Sequence, residues 1–216
     1  MPTAEVAAWV KPLTLECPGG ARTIRLEPLQ ERHCADLFRA ADPELFRHSM
    51  QAPQEWSVEG FIRQAASINA LPDVVAFAMV LAAGAEKGRA VGRTTFMDIK
   101  PEHRGVEIGR TWISRPFHGT RVNPEAKYLM LRHAFEVLSP TAIRVQFTTT
   151  GTNLHSQAAI AKLGAVREGV LRNARILPPA LERTEPVVRD CVHFSILAEE
   201  WERVKTGLER RLAHPH

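Results

Sequence analysis

Residues 115–126, RPFHGTRVNPEA, carry the densest set of groups able to hold an anion. They lead from a strand-like stretch, 105–113, into an amphipathic stretch of helical period, 124–138. A strand, a short loop and a helix start together form a phosphate-binding geometry. The first backbone N–H groups of a helix have no internal acceptors, and the macrodipole adds partial positive charge there. Asn123 suits the N-cap, Pro124 the first helical position and Glu125 the first turn. Gly119 lets the backbone approach a ligand, and Arg115, His118 and Arg121 add donors. Taken alone, the segment also reads as an ordinary capped helix after a turn.

A second segment repeats the design. After a strand-like stretch at 143–149 comes GTNLHSQAAIAKLGA, residues 151–165. Asn153 can cap a helix that ends at Gly164, and Ser156 falls in its first turn. Two strands thus feed two helices, and both helix starts are polar.

The elements needed to position these groups are legible along the rest of the chain. Residues 1–12 read as an extension of uncertain order, ahead of a single domain over 13–213. A turn at Gly19 and Gly20 leads to a strand at 22–29. Helices follow at 31–41 and 57–69, with Pro43, Pro53 and Pro72 as punctuation. Residues 76–82 and 91–99 form a hairpin around 84–88. Strands at 166–176 and 189–196 and a last helix at 199–212 complete an α+β pattern.

In this order and spacing the motifs resemble the GCN5-related N-acetyltransferases (GNAT superfamily). The likeness is to the branch that includes the ribosomal-protein N-terminal acetyltransferases (RimJ/RimL-like). It rests on TIRLEPL at 23–29, ADPEL at 41–45, VGRTTFMDI at 91–99, VEIG at 106–109, LGAVREGVLR at 163–172, Arg189-Asp190 and EEW at 199–201. The resemblance implies an α/β (α+β) fold with a mixed, mostly antiparallel sheet of about seven strands flanked by helices. It implies acetyl-CoA as cosubstrate, no metal, and direct attack by a primary amine of a protein, a peptide or a small molecule. The family's loop would place Ile113, Ser114, His118, Gly119, Thr120, Arg121 and Asn123 on acetyl-CoA. Asn153 and Ser156 would face the pantetheine arm, with Ser156 bonding the leaving sulfur. Two departures stand out: Arg121 replaces a second Gly or Ala, and Pro116 takes the first basic or amide position. The proline-rich stretch 176–188 also lies where a tighter hairpin is expected.

Amine acylation needs a base, because free amines are mostly protonated near pH 7. Glu107 interrupts an apolar strand, where an acid is costly without work or a partner. It reads either as that base or as an acid paired with Arg104 or Arg110. Asp98 is the alternative base, and equally a turn residue before Pro101. Backbone N–H groups near Ile113 could polarise the thioester carbonyl if the central strands splay, as the family implies. Trp56, Trp112, Phe96 and His48 could wall an acceptor pocket, although such residues are more often core.

Composition narrows the classes. Of 216 residues, 44% are hydrophobic, enough for a packed core. The longest apolar stretch, 74–83, falls short of the about 20 residues that span a bilayer. Cys17, Cys34 and Cys191 form no metal pattern, so thiols in a reducing cytoplasm are expected. A net charge of +4 with 6% aromatics gives no nucleic-acid platform. No Gly-x-Gly-x-x-Gly follows a strand, which disfavours a Rossmann domain. A non-catalytic acyl-CoA-binding module stays open as the rival reading, and the oligomeric state is open between monomer and homodimer.

Overall fold

The computed structural model describes residues 1–11, 14–17, 23–181 and 183–213. Its strands are β1 (Ile24–Pro28), β2 (Val75–Leu81), β3 (Ala90–Lys100), β4 (Gly105–Ile113), β5 (Arg144–Thr150), β6 (Val166–Leu177) and β7 (Val187–Leu197). They form one seven-stranded sheet in the order β1-β2-β3-β4-β5-β7-β6. Every neighbouring pair is antiparallel except β4 with β5. The helices are α1 (Ala4–Val10), α2 (Cys34–Ala40), α3 (Val58–Asn69), α4 (Val122–Arg132), α5 (Leu154–Ala161) and α6 (Trp201–Ala213). The mixed, mostly antiparallel sheet flanked by helices is the architecture expected from the motifs.

The apolar run at β2 follows from burial on both faces. Side chains alternate across a strand. Val75, Phe77, Met79 and Leu81 therefore join the larger core, which also takes up α1, α4 and α6. Ala76, Ala78 and Val80 join a second core with Phe46, Phe61 and Trp112. Helix α3 starts at Ser57, whose Oγ accepts the Gly60 N–H at 3.0 Å. It turns Phe61, Ala65 and Ile68, spaced four and three apart, into the second core.

Three elements differ from the sequence expectation. The N-terminal segment forms α1, and its Val6, Trp9 and Val10 are buried in the larger core. Trp9 Nε1–H donates to the Pro140 carbonyl at 2.8 Å, and the His133 ring donates to the Val10 carbonyl at 2.6 Å. Distant residues fix this helix, which is why its own residues carry little sign of it. The turn at Gly19 and Gly20 lies outside the described residues.

Helix α4 begins earlier than Asn123. Val122 is its first residue, and Thr120 Oγ1 accepts the Val122 N–H at 3.3 Å. Asn123 is therefore not the N-cap. Glu125 also does more than sit in the first turn: it is buried, and its carboxylate accepts the Thr23 N–H at 3.0 Å, tying the start of β1 to α4. Beyond Arg132 the helix continues as a π-turn over His133–Val137.

The stretch 176–188 extends a long β6–β7 ladder, with Ile176 opposite Val188 and Leu177 opposite Val187. In the loop that follows, Arg183 donates to the carbonyls of Pro178, Arg47 and Ser49. The loop is thereby pinned to the segment after the turn Pro43–Phe46. No described helix is long and apolar enough to cross a membrane.

Candidate active site

The site arises where β4 and β5 part. Their parallel pairing covers only Gly105–Arg144, Val106–Val145 and Glu107–Gln146. Farther along, the β3–β4 register shifts between Arg93–Trp112 and Thr95–Gly109. Arg110 and Thr111 thus stand against Thr94 alone, a β-bulge that bends β4 away. Arg110 takes the left-handed conformation there, φ 51°. Meanwhile β5 stays paired with β7 as far as Thr150–Cys191.

At the end of β4, the Ser114 N–H bonds the Val91 carbonyl at 2.8 Å. Backbone groups alternate along an antiparallel strand, so the Ile113 N–H and C=O face the opposite, splayed edge. The Ile113 carbonyl accepts from His118 Nε2 at 2.8 Å, which fixes the proton on Nε2.

The splay opens into a cavity of about 840 Å³. Its wall includes Glu107 and Ile113 of β4, Asn123 and Lys127 of α4, and Asn153 and Ser156 at the start of α5. Glu107 is the only carboxylate among the described lining residues, and it is 4% exposed. Its Oε2 accepts from Gln146 Nε2 at 2.9 Å and from Thr148 Oγ1 at 3.1 Å. Arg104 donates instead to the Thr141 carbonyl at 2.8 Å, and Arg110 feels the charge of Glu107 without an ion-pair or hydrogen-bond contact to it. Asp98 lies away from the cavity wall, at φ 47° and beside Lys100 at 3.0 Å.

The predicted phosphate loop divides. His118, Gly119 and Asn123 line the cavity; Ser114, Thr120 and Arg121 do not. Ser114 is held in the β3–β4 ladder, and Thr120 Oγ1 accepts the Val122 N–H just ahead of α4, whose N-cap residue is Arg121. Arg115 turns outward to Asp42, with one contact at 3.1 Å, and that guanidinium holds the Asp42 carboxyl below its ordinary range. The His118 ring stacks on His155 at 6.1 Å, bridging the loop and the start of α5. Asn123 Oδ1 is buried without a hydrogen-bond partner among the described residues. At α5 the cap is as expected: Asn153 Oδ1 accepts the Ser156 N–H at 3.1 Å.

On the acceptor side, His48 and Trp112 line the cavity. Trp56 and Phe96 do not: Trp56 packs on Phe61 with centroids 5.5 Å apart, and Phe96 lies in the larger core. Burial, reinforced by the charges of Arg47 and Arg189, holds the His48 imidazole below its ordinary value. Tyr128 is structural, its hydroxyl donating to Glu209 at 3.0 Å.

The sequence reading missed Lys127. It is 5% exposed and lines the cavity beneath the bulge. Its Nζ donates to Thr111 Oγ1 at 2.7 Å and to Thr94 Oγ1 at 3.3 Å. No acid offsets its burial, which pulls the ammonium down to about 7. The signal was present: Lys127 sits one helical turn from Asn123, between Ala126 and the apolar pair Leu129 and Met130. Among the described residues no cluster of His, Cys, Asp or Glu could hold a metal ion.

The family profile described as an acetyltransferase (GNAT) domain matches residues 23–166. A candidate acetyltransferase from T. thermophilus is 41% identical, with 93% of this chain and 97% of that one covered and a TM-score of 0.80. A GCN5-related N-acetyltransferase from Brucella melitensis is 24% identical, with coverages of 92% and 85% and a TM-score of 0.79. Mycobacterium smegmatis RimJ, in complex with CoA-disulfide, is 22% identical, with coverages of 95% and 96% and a TM-score of 0.70. At the two lower identities the likeness is one of fold. No curated protein matches the chain. A splayed β4–β5 pair feeding two polar helix starts, the profile match and the 41% relative lead to one conclusion: the chain belongs to the GNAT acetyltransferase family.

Proposed function

We propose that the protein moves the acetyl group of acetyl-CoA to a primary amine by direct attack, with Glu107 as the base. The observation that carries this reading is the setting of Glu107. It is a buried carboxylate in the cavity wall, one oxygen held by Gln146 and Thr148, and no cation touches it among the described residues, although the charge of Arg110 reaches it. Such a group, facing the cavity with an oxygen not held by the protein, is positioned to accept a proton.

The residues present fit acetyl-CoA. Asn123 Oδ1 is a buried acceptor without a partner, suited to an amide N–H of a pantetheine arm. The start of α4 and the backbone at Gly119 suit phosphate oxygens. CoA-disulfide in M. smegmatis RimJ supports the same assignment. The cosubstrate supplies an activated acyl thioester. Glu107 takes the proton of the attacking amine as the C–N bond forms. The outward Ile113 N–H stabilises charge on the carbonyl oxygen. As the C–S bond breaks, the Ser156 hydroxyl bonds the leaving sulfur, and the thiolate recovers its proton through solvent.

The acceptor is the amine of a protein or peptide N-terminus or of a small molecule. The RimJ/RimL-like motifs and the likeness to RimJ over most of the chain support the N-terminal option. The rival, a non-catalytic acyl-CoA-binding module, predicts binding without turnover. An acceptor screen following free CoA release separates the two. In that screen Glu107→Gln is expected to keep acetyl-CoA affinity, lose about a hundredfold in kcat/KM and change the acidic limb of the pH–rate profile. A profile of unchanged shape would reject the role of Glu107.

A further inference from the structure

The cavity that holds Glu107 also holds cationic side chains that touch no carboxylate among the described residues. Arg110 and Arg175 both line it, and neither makes an ion pair or a side-chain hydrogen bond among the described residues. Arg110 Nη1 is buried without a partner. Across the β6–β7 ladder Arg175 stands directly opposite Arg189, whose Nε is likewise buried and unpartnered. Like charges placed directly opposite destabilise a sheet. Asp73 and then Glu107 are the carboxylates whose charges reach Arg110, but neither touches its guanidinium; Glu107 is held by Gln146 and Thr148, and Asp190 accepts the Asn173 N–H at 2.8 Å. A guanidinium is a planar fork that matches a carboxylate or a phosphate, and a buried N–H left without an acceptor is costly.

We propose that the acceptor amine carries an anionic group, a carboxylate or a phosphate, which Arg110 and Arg175 hold while its amine faces Glu107. The proposal rests on the acetyl-transfer reading for the word acceptor; the anion site itself stands on the arginines. Burial lowers the Arg110 guanidinium, the charges of Asp73 and Glu107 offset this, and that of Arg175 adds to it, so the base and the cations share one region of the wall. An amine beside a carboxylate and an anion beside two guanidiniums describe a zwitterion. The atoms balance as in the transfer above: the amine nitrogen bonds the acetyl carbon, the C–S bond breaks, and the anion is untouched.

Two measurements test this. First, the protein saturated with acetyl-CoA is heated with inorganic phosphate or succinate. Wild type is expected to melt higher, with the shift lost in Arg110→Gln and in Arg175→Gln. Both variants are expected to keep their stabilisation by acetyl-CoA, which also shows that they fold. No anion shift in wild type, or an equal shift in wild type and both variants, overturns the proposal. So does loss of acetyl-CoA stabilisation in both, because the arginines then serve the phosphates of the cosubstrate.

Second, CoA release is compared for L-amino acids against their carboxamides and for phosphoethanolamine against ethanolamine. The anionic member of at least one pair is expected to lead by about tenfold to a hundredfold in kcat/KM, a lead that Arg175→Gln removes. A lead in the first pair identifies a carboxylate, and one in the second a phosphate. Neutral members reacting as well as anionic ones overturn the inference and leave the transferase reading intact. Arginine-dependent anion binding with no CoA release from any amine leaves the site standing and removes the transferase reading.

Discussion

Ser156 and Asn153 show how one residue's backbone and side chain separate. The α5 cap uses the Asn153 side chain and only the backbone N–H of Ser156. Ser156→Ala therefore keeps the cap, and the substitution tests the hydroxyl alone. It is expected to leave thermal stability and acetyl-CoA affinity near wild type and to lower kcat by about tenfold or more. Steady-state kinetics with a good acceptor decide this; an unchanged kcat would make Ser156 a helix-start residue only. His118 carries the same lesson from the other side. Its ring was expected to donate to a phosphate, yet Nε2 is committed to the Ile113 carbonyl. In that position it holds the end of β4 and orients the neighbouring N–H.

At the scale of elements, the loop between β4 and α4 does more by shape than by charge. Of its basic side chains, Arg115 is drawn to Asp42 and Arg121 stays off the cavity wall. What remains is Gly119 at φ 75°, with open space where a Cβ would stand. A Cβ there meets no protein atom within 4 Å, so its cost is backbone strain of about 1–2 kcal/mol, to which a larger side chain adds its volume at the cavity. Gly119→Leu is expected to fold and to lose most of the stabilisation by millimolar acetyl-CoA, a shift that reaches about 4 kcal/mol at a thousandfold excess over Kd. Differential scanning fluorimetry with and without acetyl-CoA reads it. A full shift in the variant would move the phosphate site elsewhere. The β3–β4 pair makes a comparable demand at Gly92, where a Cβ would lie 2.5 Å from the Trp112 carbonyl oxygen. That close approach carries β4 to the bulge and so to the splay.

At the scale of the whole molecule, two cores on either side of one sheet leave a seam, and the seam contains a buried amine. Lys127 is held down to about 7 by burial, against an ordinary 10.5. Between those values the unfolded chain binds a proton that the folded chain does not. Stability therefore rises with pH across that window, and the penalty is fully present below about 7. Lys127→Met removes the charge, while Thr94 and Thr111 keep their mutual contact at 2.9 Å. The variant is expected to melt above wild type at pH 7, by about 1–3 kcal/mol or roughly 2–10 °C. Its advantage should shrink as pH rises toward about 10. Parallel melting curves from pH 6 to pH 10 check this, and a constant difference would show that Lys127 stays charged in the folded protein.

The sequence by itself determined what repeats locally. The buried run of β2, the helix beginning near Ser57, the cap at Asn153, the hairpin around 84–88 and the order of strands and helices follow from periodicity and turn chemistry within a few residues. The placing of Glu107 in a mostly apolar strand was legible for the same reason, because one acid there breaks a local pattern. The tertiary structure alone decided which loop residues reach the cavity and what holds Glu107. It also decided that α1 belongs to the core and that Lys127 and the arginines line the seam. Each of these depends on partners far away in the chain: Gln146 for Glu107, Pro140 for Trp9, Asp42 for Arg115 and Thr94 for Lys127. Local pattern fixes which face a side chain takes; the groups it meets there are fixed only when the sheet closes, because they arrive from other strands and helices.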